Sequence, residues 1–300
     1  MIQSNSNNTT ININVREIFK VLFINKFKII FFTSFATLLS IIYSQTIPDE
    51  YISKAILAEQ NSSSQSIPNQ YRRVASLAGF AFASASDSNK LSIAIEKVKS
   101  LDFFKNFISK HDLFYTLIGV SGWDKSKNLL INNDDYFDEI NNKWIADIPF
   151  AVQGKPSIQT AHKEFLSKFS ISNDPKTNFT IISMKHYSPN VAKNILDLII
   201  LEVNSTTKIA DIELSRRTIE FLENEISTTN LSDIKSGLNE LIKENIKKIA
   251  LANSSPEYLL QVVSSPIAPE YKSSPKRSLI VFLTFIFSLF LSSLATCIPV

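Results

Sequence analysis

Among its 300 residues the chain has one cysteine, five glycines and three histidines, and each scarcity excludes a class of chemistry. A lone cysteine rules out a disulfide framework and a cysteine-based metal site, and Cys297 itself lies inside an apolar run. Five glycines are too few for a glycine-rich β-sandwich or a nucleotide-binding loop enzyme, and neither G-x-x-x-x-G-K-[ST] nor G-x-S-x-G occurs. His111, His162 and His186 stand outside any H-x-x-x-H, H-E-x-x-H or C-x-x-C context, so no metal site is called for. Asp134, Asp135, Asp138 and Glu139 form an acidic cluster without the ligand spacing or central glycine of a calcium loop, and are assigned to a solvated loop. A net charge of only +3, with no basic block between the apolar ends, argues against a nucleic-acid partner. No residue set takes catalytic roles, so the chain is read as a non-enzyme without cofactor.

What the chain has in quantity is apolar sequence, bunched at its two ends. Ile29–Ile47 is 19 residues without a charge, preceded by Lys26 and Lys28, and Leu279–Val300 is 22 uncharged residues preceded by Lys276 and Arg277. About 20 apolar residues in a helix cross a bilayer core, and buried helices of soluble proteins rarely run so long without a charge. The first run exceeds the apolar stretch of a signal peptide, and no A-x-A-like site follows it in SQTIPDE, so it reads as an anchor. Arg16, Lys20, Lys26 and Lys28 precede it and only Lys54 follows closely, which places the N-terminus in the cytoplasm. The expected division is a cytoplasmic segment 1–28, a membrane helix 29–47, a periplasmic domain 48–278 and a membrane helix 279–300. Lys272, Lys276 and Arg277 then lie on the outer side, against the positive-inside rule.

Residues 1–12 are mostly Ser, Asn, Thr and Gln and are expected to be disordered, with an amphipathic helix over 13–28. Glu50–Ala58 has strand composition, Asn61–Arg73 loop composition, and Leu91–Ile108 the spacing of one helix face. Ser121–Asp147 is polar and turn-rich, with Trp123 and Trp144 as apolar anchors. Ala161–Phe169 reads as a helix, Asn173–Lys176 as a turn and Asn178–His186 as a strand. Ser188-Pro189 starts a helix, serine supplying the cap oxygen, and no proline or glycine follows until after Ser227. Ile212, Ile219 and Ile226 repeat along it, and Glu213–Arg217 and Arg216–Glu220 have ion-pair spacing. A second amphipathic helix over 231–252, capped by Asn230, completes a helical hairpin with some surface left for self-association. Tyr258–Val263 is expected to return as a strand. The predicted class is α+β, with a membrane-proximal mixed sheet and long protruding helices between two transmembrane helices.

Two groups of residues are candidates for function. Thr284, Ser288, Ser292 and Thr296 recur every fourth residue, a small-residue stripe that lets membrane helices approach and hydrogen-bond. Pro266, Pro269 and Pro275, followed by Lys276 and Arg277, stiffen the segment leading into the second apolar run.

The segment YLLQVVSSPIAPEYKSSPKRSLI (258–280) resembles the proline-rich stretch, ending in PKR before the second membrane helix, of the polysaccharide co-polymerases, specifically the O-antigen chain-length determinants. NFTIISMKHYSPNVAKNILDLIILEVN (178–204), ASLAGF (75–80), KSLDFFKNFI (99–108) and INVREIFKVLFINKFKII (13–30) are similar to further segments of that family in the same order. Members usually carry glycines in the second membrane helix, where this chain has Ser288 and Ser292. The resemblance implies a non-enzymatic, ring-shaped homo-oligomer of the inner membrane. Such a protein sets the modal length of a glycan, built on a lipid carrier in the undecaprenyl-diphosphate pathway by a separate polysaccharide polymerase. Two other readings stay open here: a capsule or exopolysaccharide export adaptor paired with a tyrosine kinase, and a membrane-anchored sensor or adhesion module.

Overall fold

The computed structural model describes residues 22–59, 90–141, 143–145, 151 and 154–297. The expectations for residues 1–12, 13–21, 61–73 and 75–80 lie outside the described residues. Contacts divide the chain into two compact units, residues 1–49 with 273–300, and residues 50–272.

The first unit is a pair of helices, α1 (Lys26–Thr46) from the first apolar run and α8 (Arg277–Cys297) from the second. Both are long and apolar enough to cross a membrane. Their outward side chains, Phe31, Phe35, Phe287 and Phe290 among them, are exposed. In water such a surface would be costly, whereas in hydrocarbon it is the stable arrangement.

In the second unit the elements in chain order are β1 (Tyr51–Glu59), α2 (Lys90–Val98), α3 (Leu101–Lys110), α4 (Phe114–Ile118), β2 (Val120–Asp124), β3 (Leu129–Asn132), β4 (Phe137–Asp138), β5 (Lys143–Trp144), α5 (Ile158–Lys168), β6 (Phe169–Asn173), β7 (Thr180–His186), α6 (Pro189–Thr228), α7 (Ser232–Ser254) and β8 (Leu260–Ser264). The main sheet has the order β6-β7-β1-β8. All its pairings are antiparallel, not mixed as expected, because the turn at 174–179 folds β6 directly back on β7 and the helical hairpin α6–α7 returns β8 beside β1. On β1 the inward residues alternate as Tyr51, Ser53, Ala55 and Leu57, and on β7 as Thr180, Ile182, Met184 and His186. The N-terminal part of α6 covers this face with Ala192, Ile195, Leu196, Ile199 and Val203, spaced as one helical stripe. Phe104, Phe107, Leu117 and Phe165 from α3, α4 and α5 fill the rest of the core.

Several local expectations are corrected. The helical run over 91–108 is two helices, because Ser100 accepts a hydrogen bond from the Phe103 N–H and caps α3. Strand β6 follows α5 immediately, and the polar stretch after residue 120 holds two small hairpins, β2–β3 and β4–β5. Ser188 occupies the N-cap of α6, but its side chain makes no cap bond; its N–H donates to His186 Nδ1 instead. Leu231, not Asn230, is the N-cap residue of α7.

At 40 residues, α6 spans about 60 Å at ~1.5 Å per residue. Its C-terminal part packs on α7 through Leu222, Leu238 and Leu241, with Ile226, Ile234 and Ile242 around them. The Glu213–Arg217 ion pair forms on the exposed side at 2.9 Å. The Asp211 carboxylate ties α6 to its neighbours, accepting from Tyr258 Oη at 2.8 Å and Lys90 Nζ at 3.3 Å.

Candidate functional site

The predicted stripe of α8 finds its counterpart on α1. Thr33, Ser40 and Ser44 of α1 are buried, as are Ser288 and Ser292 of α8. Thr33 Oγ1 lies 3.4 Å from Ser292 Oγ, and Ser40 Oγ donates to Thr284 Oγ1 at 3.1 Å. Residue numbers rise on one helix as they fall on the other, so the pair is antiparallel. The hydroxyls also bond within their own helices: Thr33 to the Ile29 carbonyl, Thr284 to Ile280, Ser288 to Phe285 and Ser292 to Leu289. Each polar group is thereby satisfied without water while its small size lets the backbones approach, the combination that an apolar solvent requires. Thr296, at the far end of the stripe, is half-buried and bonds only the Ser293 carbonyl among the described residues. The α1 half of the seam was missed by sequence reasoning, although Thr33, Thr37, Ser40 and Ser44 are spaced to share one helix face.

At the other end of the seam stands Arg277, the first residue of α8. Its Nε donates to the Ser44 carbonyl at 2.9 Å, and Nη2 reaches the Ile47 carbonyl at 3.3 Å and Asp49 Oδ1 at 2.9 Å. The last four carbonyls of a helix have no intrahelical partner, and Ser44 carries one of them. Arg277 therefore caps the C-terminus of α1 from the start of α8, in the manner of a cation at a helix C-terminus. The Asp49 carboxylate balances part of its charge.

The proline-rich candidates are divided between the two units. Pro266 and Pro269 belong to the 50–272 unit and Pro275, Lys276 and Arg277 to the other. Pro266 is buried, and the next carbonyl, Ile267 O, accepts from Ser53 Oγ at 2.7 Å, so this stretch is fastened to β1. Pro275 and Lys276 supply carbonyls to the first turn of α8, while the Lys276 side chain is exposed.

Elsewhere the histidines and several carboxylates are held by hydrogen bonds and ion pairs. His186 is 1% exposed; its Nε2–H donates to the Thr116 carbonyl at 2.9 Å and its Nδ1 accepts from the Ser188 N–H at 3.0 Å. Burial holds the ring neutral, its pKa lowered to about 4. Burial raises the pKa of Tyr187 and of Tyr115, with Glu50 and Glu139 respectively adding to it. His162 bonds the Lys99 carbonyl, and His111 lies 3.5 Å from the Glu202 carboxylate, which also holds Lys110 at 2.7 Å. Asp138 of the acidic cluster accepts from the backbone and side chain of Asn141, and those bonds lower its pKa. Asp124 and Asp174 do the same work in their turns. Among the described residues, no group of three or more His, Cys, Asp or Glu is arranged to hold a metal.

Residues 11–111, about a third of the chain, match the family model described as Wzz, chain length determinant protein. The match runs from ahead of α1 through β1 to the end of α3, and so includes a membrane-competent helix and one of the two inner strands of the main sheet. No curated protein matches the chain in sequence. Among solved structures the chain is similar to a full-length bacterial polysaccharide co-polymerase, at 12% identity and a TM-score of 0.39, covering 94% of this chain and 96% of that one. It is also similar to a fragment of WzzB, a polysaccharide co-polymerase from Salmonella Typhimurium, at 13% identity and a TM-score of 0.32, covering 76% of this chain and 100% of that one.

Proposed function

We propose that the protein is a non-catalytic co-polymerase of the bacterial inner membrane that sets the modal chain length of a lipopolysaccharide O-antigen, or of a similar surface polysaccharide, made by a separate polymerase. The observation that carries this reading is the match to the chain length determinant model over 11–111, joined to a second apolar helix, α8, paired with the first. Residues 48–278 face the periplasm in this reading, and the N-terminus lies in the cytoplasm behind Arg16, Lys20, Lys26 and Lys28. The protein works as a ring-like homo-oligomer beside the polymerase and its lipid-linked glycan. The helical hairpin α6–α7 supports self-association, since Leu214 and Ile246 stand exposed on it, away from the Leu222–Leu238–Leu241 seam. The stripe Thr284, Ser288, Ser292 and Thr296, with Pro275, Lys276 and Arg277 at the start of α8, holds the membrane portion in the form that the polymerase meets, while Pro266 and Pro269 stiffen the segment ahead of it.

The test is a silver-stained gel of lipopolysaccharide from a deletion strain, with and without the gene restored. The expected outcome is that the modal cluster of bands collapses into a steadily declining ladder and returns on complementation. An unchanged ladder would overturn the O-antigen assignment and make capsule or exopolysaccharide size the next quantity to measure.

A further inference from the structure

The seam between α1 and α8 is closed by hydroxyls over most of its length but opens beside Arg277 into a groove of about 610 Å³. Its walls change character along the helices. At the end are Gln45, Arg277 and Ser278; further along are Ile41, Val281 and Phe282. A polar, cationic mouth leading into an apolar trough is the profile of an amphiphile with a negative head. Arg277 brings a positive charge to the mouth that Asp49, on Nη2, offsets in part, and Lys276, exposed at the preceding position, adds another to the start of α8. A guanidinium has five N–H donors, and the three contacts of Arg277 use only Nε and Nη2, leaving Nη1 without a partner among the described residues. Arginine is suited to phosphate because two of its N–H groups can meet two oxygens at once.

We propose that this groove seats an anionic phospholipid of the surrounding bilayer, its phosphate at Arg277 and Ser278 and one acyl chain along Ile41, Val281 and Phe282. The inference rests on the membrane-spanning reading of α1 and α8 given above. Any lipid can coat an apolar seam, so the distinguishing property is selectivity: the net positive mouth favours a head without a compensating cation over a zwitterionic one.

The test uses the full chain in nanodiscs of equal phosphatidylglycerol and phosphatidylcholine, with lipid retained after transfer to detergent counted by native mass spectrometry. Phosphatidylglycerol is expected to be retained about fivefold over phosphatidylcholine, as befits one charge-assisted phosphate contact at a membrane surface. Gln45→Glu places a negative charge in the mouth without touching the three contacts of Arg277, and should bring the two lipids to parity. Val281→Trp fills the trough and should lower retention of both. Equal retention by the unaltered protein, or a preference that survives both variants, would mean a non-selective lipid coat and overturn the proposal alone. Recovery of the chain in the aqueous phase without detergent would overturn the membrane reading together with it.

Discussion

Asn204, near the middle of α6, makes three hydrogen bonds to β8 and the residue before it while only 5% exposed. Its Oδ1 accepts from the N–H groups of Leu259 and Leu260, each at 2.8 Å, and its Nδ2 donates to the Leu260 carbonyl at 3.0 Å. Replacing it with alanine would strand three buried backbone groups; at ~1–3 kcal/mol for each unsatisfied group, a loss of about 3 kcal/mol or more is expected in chemical denaturation of the full chain in detergent. His186 predicts a pH dependence. The unfolded chain takes up its proton near pH 6.5 and the folded chain only near 4, so its contribution is full above 6.5 and is lost as pH falls from 6.5 to 4. The ceiling is about 3 kcal/mol, from ~1.4 kcal/mol per pH unit. Protonation would set an Nδ1–H against the Ser188 N–H, which is the local form that the penalty takes. A thermal-melt series from pH 7 to 4 on the parent and on His186→Gln should show the steeper decline in the parent; parallel declines would assign the acid sensitivity to another group. Neither role was legible beforehand, because a lone Asn or His acquires meaning only from the backbone atoms that folding brings to it.

At the scale of elements, pattern carried most of the information. The long helix from Pro189, the strands around Ile52–Ala58 and Ile181–His186, and the apolar helices follow from composition and period, which hold whatever the tertiary context. The misses fell where a single side chain decides: Ser100 breaking a helical run, and the Asp124 carboxylate folding a turn between two short strands; the turn holding Asp174 was expected, the strand Phe169–Asn173 before it was not. The seam of α1 and α8 was half legible, one helix stripe having been noticed and the other not. It makes a prediction about the pair. With Cys297→Ser as background, cysteines at Thr33 and Ser292 should cross-link within the chain, since the native hydroxyls lie 3.4 Å apart. Adding Ser288→Leu, at a site 6% exposed against α1, should reduce the cross-linking yield severalfold and shift the glycan length in cells. Full cross-linking beside normal expression and unaltered glycans would remove the seam from the account of function.

For the whole molecule, the α+β class and two membrane-competent helices could be read from the chain, because they depend on where apolar residues are concentrated. Sheet direction could not: β1 is predicted equally by a mixed or an antiparallel sheet, and its neighbours are decided by connections far away in sequence. Arg277 illustrates the same limit. Its place in a basic triplet suggested only a charge near a membrane, while its work on the Ser44 and Ile47 carbonyls depends on a helix more than 200 residues earlier.

That distance has a counterpart in time. Strand β1 lies at the centre of the main sheet, yet it leaves the ribosome ahead of every partner it will have: Tyr51–Leu57 pairs with Thr180–His186, and Ile56–Glu59 with Leu260–Ser264. For as long as some 120 further residues are being added, both of its hydrogen-bonding edges are unclaimed, and one of them waits for about 200. Contacts of such separation close slowly, and an open strand edge invites pairing with a neighbouring chain. A polysome, which lines up several copies of the same strand at the same membrane, is therefore the setting in which this fold is most exposed to error, and in which delay in synthesis of the helical hairpin would be felt first.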